Sequence, residues 1–250
     1  AAYNDLESVE GIFRMCGEEI AAVVVEPVAA NMGVVPPVPG FLEGLRSLCS
    51  AYGALLVFDE VITGFRLGAD GAQGYYRVAP DLTAFGKIIG GGMPVGAYGG
   101  RREVMELVAP LGGVYQAGTL SGNPVAMAAG IAQLTALKAH PEWYQQLNGQ
   151  AERFFQGIGA ILQKLGLPYQ VNYVGSLGCL YFTGQAVTDY ESAKSSDTGL
   201  FARYCREMME RGVYLAPSQF EAIFVSMAHT EEILSRTLEL MEKCLGVCGQ

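Results

Sequence analysis

Two short runs are apolar at every position: Ala21 to Val25, closed by Glu26 and Pro27, and Ala54 to Phe58, closed by Asp59 and Glu60. Runs of this length without polar alternation predict interior parallel strands covered on both faces. Between them Leu42, Leu45, Leu48, Cys49 and Tyr52 recur at helical spacing, and Gly53 stops the pattern. Residues 39–52 therefore predict a helix, and strand–helix–strand makes a βαβ unit. The fold class that follows is α/β with a mostly parallel sheet. A third, shorter strand is expected at 81–85, a helix over 101–108, and an alanine-rich helix over 126–137 opened by Pro124. So little of the alanine-rich helix is polar that it suits a buried or interface position. A long amphipathic helix follows over 142–165, with Phe154, Phe155, Ile158 and Leu162 facing inward.

Beyond Gly166 the texture changes. Strand-like stretches at 169–174, 179–182 and 222–226 alternate with helical ones near 200–211 and 230–245. This predicts a partial large domain over 1–140, a connecting helix over 141–165 and a small C-terminal α+β domain over 166–250. The polar stretch 189–198 reads as a mobile loop.

Composition narrows the function classes. Half of the 250 residues are hydrophobic and 16% are charged, against about 25% in an average domain. Disorder is excluded, and the absence of an 18-residue apolar run removes a membrane-spanning helix. A net charge of −9 without a basic cluster removes the electrostatic basis for nucleic-acid binding. The six cysteines form no dense framework, so buried, reduced thiols in a cytosol-like compartment are expected. Cys244 and Cys248 are four apart, but with two histidines in the whole chain no metal site is expected.

Ligands of parallel α/β sheets bind at the carboxyl ends of strands, and Glu26, Asp59, Glu60 and Lys87 all stand at such ends. Of five lysines, Lys87 alone lies between a strand and a glycine-rich turn, in Phe-Gly-Lys-Ile-Ile-Gly-Gly-Gly-Met-Pro. A partly desolvated amine there can act as a nucleophile. Each residue also has a plainer reading: Lys87 as a surface lysine, Asp59 as a salt-bridge partner or helix cap. The glycine run lacks the spacing of a dinucleotide fingerprint, and Ser121-Gly122 lacks the flanks of a nucleophile elbow.

Taken together, Val57-Phe-Asp-Glu-Val61, Thr63-Gly-Phe-Arg66, Pro80-Asp-Leu82 and Gly86-Lys87 before Gly-Gly-Gly-Met-Pro-Val-Gly96 resemble the class III pyridoxal-phosphate aminotransferases. Gly71-Ala-Gln-Gly-Tyr-Tyr76 and the stretch Ala109 to Pro124 resemble the aminomutase branch of that family. The resemblance implies a fold-type I transferase that uses pyridoxal 5′-phosphate, with the pyridoxamine form in its cycle. Lys87 would hold the cofactor aldehyde on its amine and shuttle a proton, and Asp59 would pair with the pyridinium nitrogen. Val61 would press on the ring, and Glu26 and Asn31 would lie beside it, Asn31 donating to the phenolic oxygen. Gly118 and Thr119 would reach the phosphate of a neighbouring subunit in a homodimer. Glu221, in Ala-Pro-Ser-Gln-Phe-Glu221, matches an acid of the aminomutase branch; by itself it reads as a solvated loop acid.

The implied reaction converts the small amino-aldehyde (S)-4-amino-5-oxopentanoate to 5-aminolevulinate, for porphyrin and chlorophyll synthesis, in bacterial cytoplasm or plastid stroma. The family pattern also has an N-terminal part, carrying a ring-stacking aromatic residue and most of a phosphate cup, with no counterpart in these 250 residues. Two other readings stay open: an ω-aminotransferase that uses an external acceptor, and a non-catalytic piece that holds no cofactor.

Overall fold

The computed structural model describes residues 1–248. The chain divides into two compact units, and neither is continuous in sequence: the first takes residues 5–27 and 39–141, the second residues 2–4, 28–38 and 142–250.

The first unit is a four-stranded sheet in the order β1 (Ala22–Val25), β2 (Leu55–Glu60), β3 (Leu82–Phe85), β4 (Ala97–Gly100). The first three run parallel and β4 is antiparallel to β3. The β1–β2 crossover is helix α2 (Phe41–Tyr52), which buries Phe41, Leu42, Leu45 and Cys49 and ends at Gly53, φ +73°. The α/β class and mainly parallel sheet expected from the apolar runs are what the chain builds. Two details differ: β1 is an outer strand of this sheet, and Val24 is 69% exposed, so β1 is apolar on both faces but covered on one.

Helix α1 (Leu6–Cys16), which the hydrophobic pattern did not predict, is capped by the Asp5 carboxylate accepting from Ser8 N–H. It packs on α2 so closely that a Cβ on Gly44 would stand 2.3 Å from Leu6 Cδ2. At the start of β3, buried Asp81 accepts from Leu56 N–H (2.7 Å), from Arg46 of α2 (2.7 Å) and from Arg101 just past β4 (2.9 Å). Burial alone would push its carboxyl pKa up. The hydrogen bonds from Leu56, Arg101 and Arg46 outweigh that and hold it below 3.8.

Elsewhere in this unit α3 (Gly71–Tyr76) is a short helix between β2 and β3, and α4 (Arg102–Met105) is a single turn. A longer helix was expected at 101–108; the chain instead turns back so that Val108 bridges Val114. Helix α5 (Pro124–Ala139) is capped by Asn123, whose Oδ1 accepts from Val125 and Ala126 N–H. It buries Ala126 and Gly130 but leaves Val125 and Ile131 exposed, so within this chain it is not a buried helix.

The second unit is built around α6 (Glu142–Leu165), whose Phe154, Phe155, Ile158 and Leu162 enter a core shared with α8 (Thr198–Glu210) and α9 (Glu231–Cys248). The helix expected to connect two domains is thus a core element of the second unit. An antiparallel sheet of β5 (Gln170–Val174), β6 (Leu177–Tyr181) and β7 (Ile223–Phe224) completes it. The stretch expected as a mobile loop forms α7 (Tyr190–Lys194). Its polar residues are caps: Asp189 and Ser192 make a reciprocal capping box, and Asp197 accepts from Leu200 N–H to start α8. All six cysteines are free thiols, four of them buried. No helix among the described residues is long and apolar enough to cross a membrane, and they contain no cluster of three metal-ligating side chains.

Candidate active site

In the first unit the parallel register lines up three strand ends. Val25 pairs with Phe58, Asp59 with Ala84 and Glu60 with Phe85. Glu26, Asp59 and Lys87 therefore leave adjacent strands at the same edge of the sheet, where α/β ligand sites form.

Strand alternation separates the two acids of β2. Glu60 shares the buried face with Leu56 and Phe58 and is 0% exposed. Its carboxylate accepts from Thr63 Oγ1 (3.1 Å), Ala72 N–H (2.5 Å), Gln73 N–H (3.3 Å) and Gln73 Nε2 (3.2 Å). That set fully engages it as an anchor for the start of α3. Asp59 points to the opposite face and is half-buried. Its Oδ1 accepts from Val61 N–H at 3.0 Å, which fixes the carboxylate against the turn that carries Val61. The Val61 side chain in turn faces the β3 end, since a Cβ on Gly86 would stand 3.2 Å from Val61 Cγ1.

Lys87 follows at once, exposed, as the first residue of a 3-10 turn over Lys87–Gly90. Its φ is +47°, a left-handed conformation that costs a non-glycine residue about 1 kcal/mol or more. The turn is held from behind by α5: a Cβ on Gly130 would stand 2.4 Å from Ile89 O, and one on Gly91 2.5 Å from Ala129 O. Lys87 lines a wide depression with Met93, Pro94 and Gln133 of α5. Asp59, Val61 and Lys87 thus stand at or just past the ends of adjacent strands, at one edge of the sheet.

Gly118 and Thr119 are placed otherwise. They lie in an exposed turn closed by Ser121 N–H donating to Gly118 O, outside that depression and just ahead of α5. Asn31 and Glu221 belong to the second unit, on two loops pinned to each other by Gly33 N–H donating to Phe220 O at 2.8 Å. The Asn31 loop is itself anchored below. Val28, Val34 and Val35 are fully buried, and the Tyr181 hydroxyl donates to Met32 O at 3.0 Å. Asn31 and Glu221 project from these anchored loops as exposed residues. The sequence offered no sign of Tyr181 as their support, because the contact joins positions 149 residues apart.

The side chains at the sheet edge suit an aldehyde cofactor with a ring nitrogen. Lys87 supplies a primary amine that can condense with the aldehyde, Asp59 a braced carboxylate for the protonated nitrogen, and Val61 an apolar branch beside both. Gly118 and Thr119 offer backbone and hydroxyl donors of the kind a phosphate accepts.

Comparison with known proteins gives the same direction. The family model for aminotransferase class III matches residues 1–245. Glutamate-1-semialdehyde 2,1-aminomutase 2 of Lachnoclostridium phytofermentans is 61% identical over 247 residues, which cover 99% of this chain and 58% of that protein. The aminomutase of Pelotomaculum thermopropionicum is 60% identical, over 96% of this chain and 55% of its own length. The chain thus spans a little over half the length of these relatives. Among solved structures, an omega-transaminase from Sphaerobacter thermophilus aligns with TM-score 0.91 and 32% identity, covering 99% of this chain and 57% of that one. A glutamate-1-semialdehyde aminomutase from Pseudomonas aeruginosa in complex with PMP aligns with TM-score 0.86 and 29% identity, over 98% of this chain and 56% of that one. With its fold, its strand-end lysine and aspartate and a family match over nearly its whole length, the chain belongs to the class III aminotransferases.

Proposed function

We propose that this chain carries the lysine and aspartate of a pyridoxal-phosphate-dependent aminomutase that interconverts (S)-4-amino-5-oxopentanoate and 5-aminolevulinate. The observation that carries the reading is that Asp59 stands at the end of β2 and Lys87 follows the end of adjacent β3, in a chain about 60% identical to proteins named for that reaction. When bound, the cofactor supplies an electron sink that makes a carbon–hydrogen bond beside nitrogen acidic. Asp59, held by Val61 N–H, would keep the ring nitrogen protonated. The Lys87 amine would hold the cofactor and would take and return the proton at the substrate carbon. Val61 and Glu26 would border the ring, Asn31 would donate to its phenolic oxygen, and Glu221 would face the substrate.

A carboxylate at position 221 would suit a substrate ammonium group and repel a second carboxylate, which would disfavour external keto-acid acceptors. The exposed apolar run from Leu107 through Leu111, Tyr115 and Leu120 to Ile131 supports a homodimer in which Gly118 and Thr119 serve the neighbouring phosphate. Bacterial relatives support a cytoplasmic setting.

Incubation with pyridoxal phosphate, borohydride reduction and peptide mapping tests the core of this reading. The expected result is a label on Lys87 alone, and label scattered over the five lysines would overturn it. Product formed from the amino-aldehyde without added keto acid distinguishes the mutase from an external-acceptor aminotransferase.

A further inference from the structure

Apart from the sheet edge, the second unit contains a cavity of about 540 Å³, within the size range of small-molecule sites. Its walls are mostly apolar, from Phe154, Phe182, Phe201, Val225, Leu234 and Met241. Two buried polar groups among the lining residues find no hydrogen-bond partner: the Tyr204 hydroxyl and Gln219 Oε1. The two residues are 2% and 3% exposed. The Gln219 amide is fixed in orientation, because its Nε2 donates to Leu180 O at 2.8 Å, which leaves Oε1 as an acceptor in need of a donor. Burial pushes the Tyr204 phenol well above its ordinary pKa, so it stays protonated and able to donate. A buried unpartnered polar group costs about 1–3 kcal/mol. A single water takes up about 30 Å³ of liquid, so one water does not fill this space.

We propose that this cavity binds a neutral, largely apolar small molecule with one donor and one acceptor, the donor meeting Gln219 Oε1 and the acceptor taking the Tyr204 hydroxyl. Neutrality follows from the lining, where the ionisable side chains that are not deeply buried are Tyr214, Glu221 and His229. Tyr214 and Glu221 are exposed, and His229 already accepts from Ser226 N–H at 3.0 Å. The ligand chemistry therefore differs from that of a charged amino-aldehyde. Gln219 sits within the turn closed by Glu221 N–H donating to Ser218 O, so an occupant would steady the loop that carries Glu221.

Phenylacetamide, an aryl group with one primary amide, is the probe. Isothermal titration of the full chain should give one saturable site, and thermal unfolding should shift upward with probe concentration. Tyr204→Phe, which keeps the ring, should weaken binding on the order of tenfold without lowering the apo unfolding temperature. Thr237→Phe, which fills the cavity from α9, should abolish binding. The proposal is overturned by no saturable binding at about 10 mM probe, or by an affinity unchanged in either variant.

Discussion

Lys87 holds its amine at the end of β3 in a backbone conformation that suits glycine better. Replacing it by glycine removes the side-chain strain, and the proposed chemistry with it. Lys87→Gly should therefore raise the unfolding free energy by up to about 1 kcal/mol while abolishing the borohydride label; urea unfolding and peptide mapping measure the two effects on one sample. A drop in stability would mean that the lysine side chain holds the turn together. Asp81 offers a test by pH. Its folded-state pKa lies below 3.8, so the unfolded chain binds the proton more readily. The stabilisation is complete above about pH 4 and is lost as pH falls through the folded value. Asp81→Asn should cost about 2 kcal/mol at pH 7, discounted for the half-exposed Arg101. The gap from the unsubstituted chain in urea unfolding should narrow toward pH 3.

At the scale of elements, the sheet edge depends on a side chain with no proposed part in the chemistry. Glu60 reaches α3 only because Gly71, at φ +61°, leaves room; a Cβ there would stand 2.4 Å from Glu60 Oε2. Gly71→Ala should thus lower stability by roughly 2–4 kcal/mol, read from the urea midpoint. The loss should be larger than for alanine at Gly68, where a Cβ meets nothing within 4 Å. How much was legible in the sequence follows from the same pair of acids. Asp59 and Glu60 both announce a strand end, since an apolar run that stops at acids needs no long-range information. Which acid is free to serve a ligand depends on Thr63, Ala72 and Gln73 folding back onto one of them. Strands β1 and β2 were visible as short unbroken apolar runs, helices α2 and α6 by apolar residues at helical spacing, and α5 by its alanine content behind Pro124. Helix α1 was not among the expected elements, although Leu6, Val9 and Phe13 share one helical face behind the Asp5 cap. The 189–198 segment read as a loop because capping residues and loop residues are the same types, and the distinction lies in Ser192 bonding back to the Asp189 backbone.

For the whole molecule, the exposed apolar run that ends on α5 is the surface on which the proposed homodimer can be tested. Leu120 and Ile131 are each 67% exposed, a costly surface for a chain that works alone. Light scattering should find a dimer, and Leu120→Asp with Ile131→Glu should shift it toward monomer. The double variant should also weaken cofactor retention if Gly118 and Thr119 serve the neighbouring site. A monomeric parent chain would remove the dimer from the proposal. The two-unit division itself was only partly readable. The change of texture after Gly166 marks a second unit, but nothing local says that residues 28–38 belong to it.

Asn4 binds those distant pieces into one unit: its Nδ2 donates to Pro36 O and Thr188 O, and its Oδ1 accepts from Val38 N–H. A chain threaded this way cannot be cut into modules at the obvious seam. Residues 2–4 and 28–38 leave the ribosome more than a hundred positions ahead of residues 142 onward, so most of their unit is still unmade when they emerge. A protease that nicks the backbone between Ala139 and Pro141 would leave two polypeptides that still migrate as one particle, because the earlier piece supplies residues 2–4 and 28–38 to the unit built by the later one.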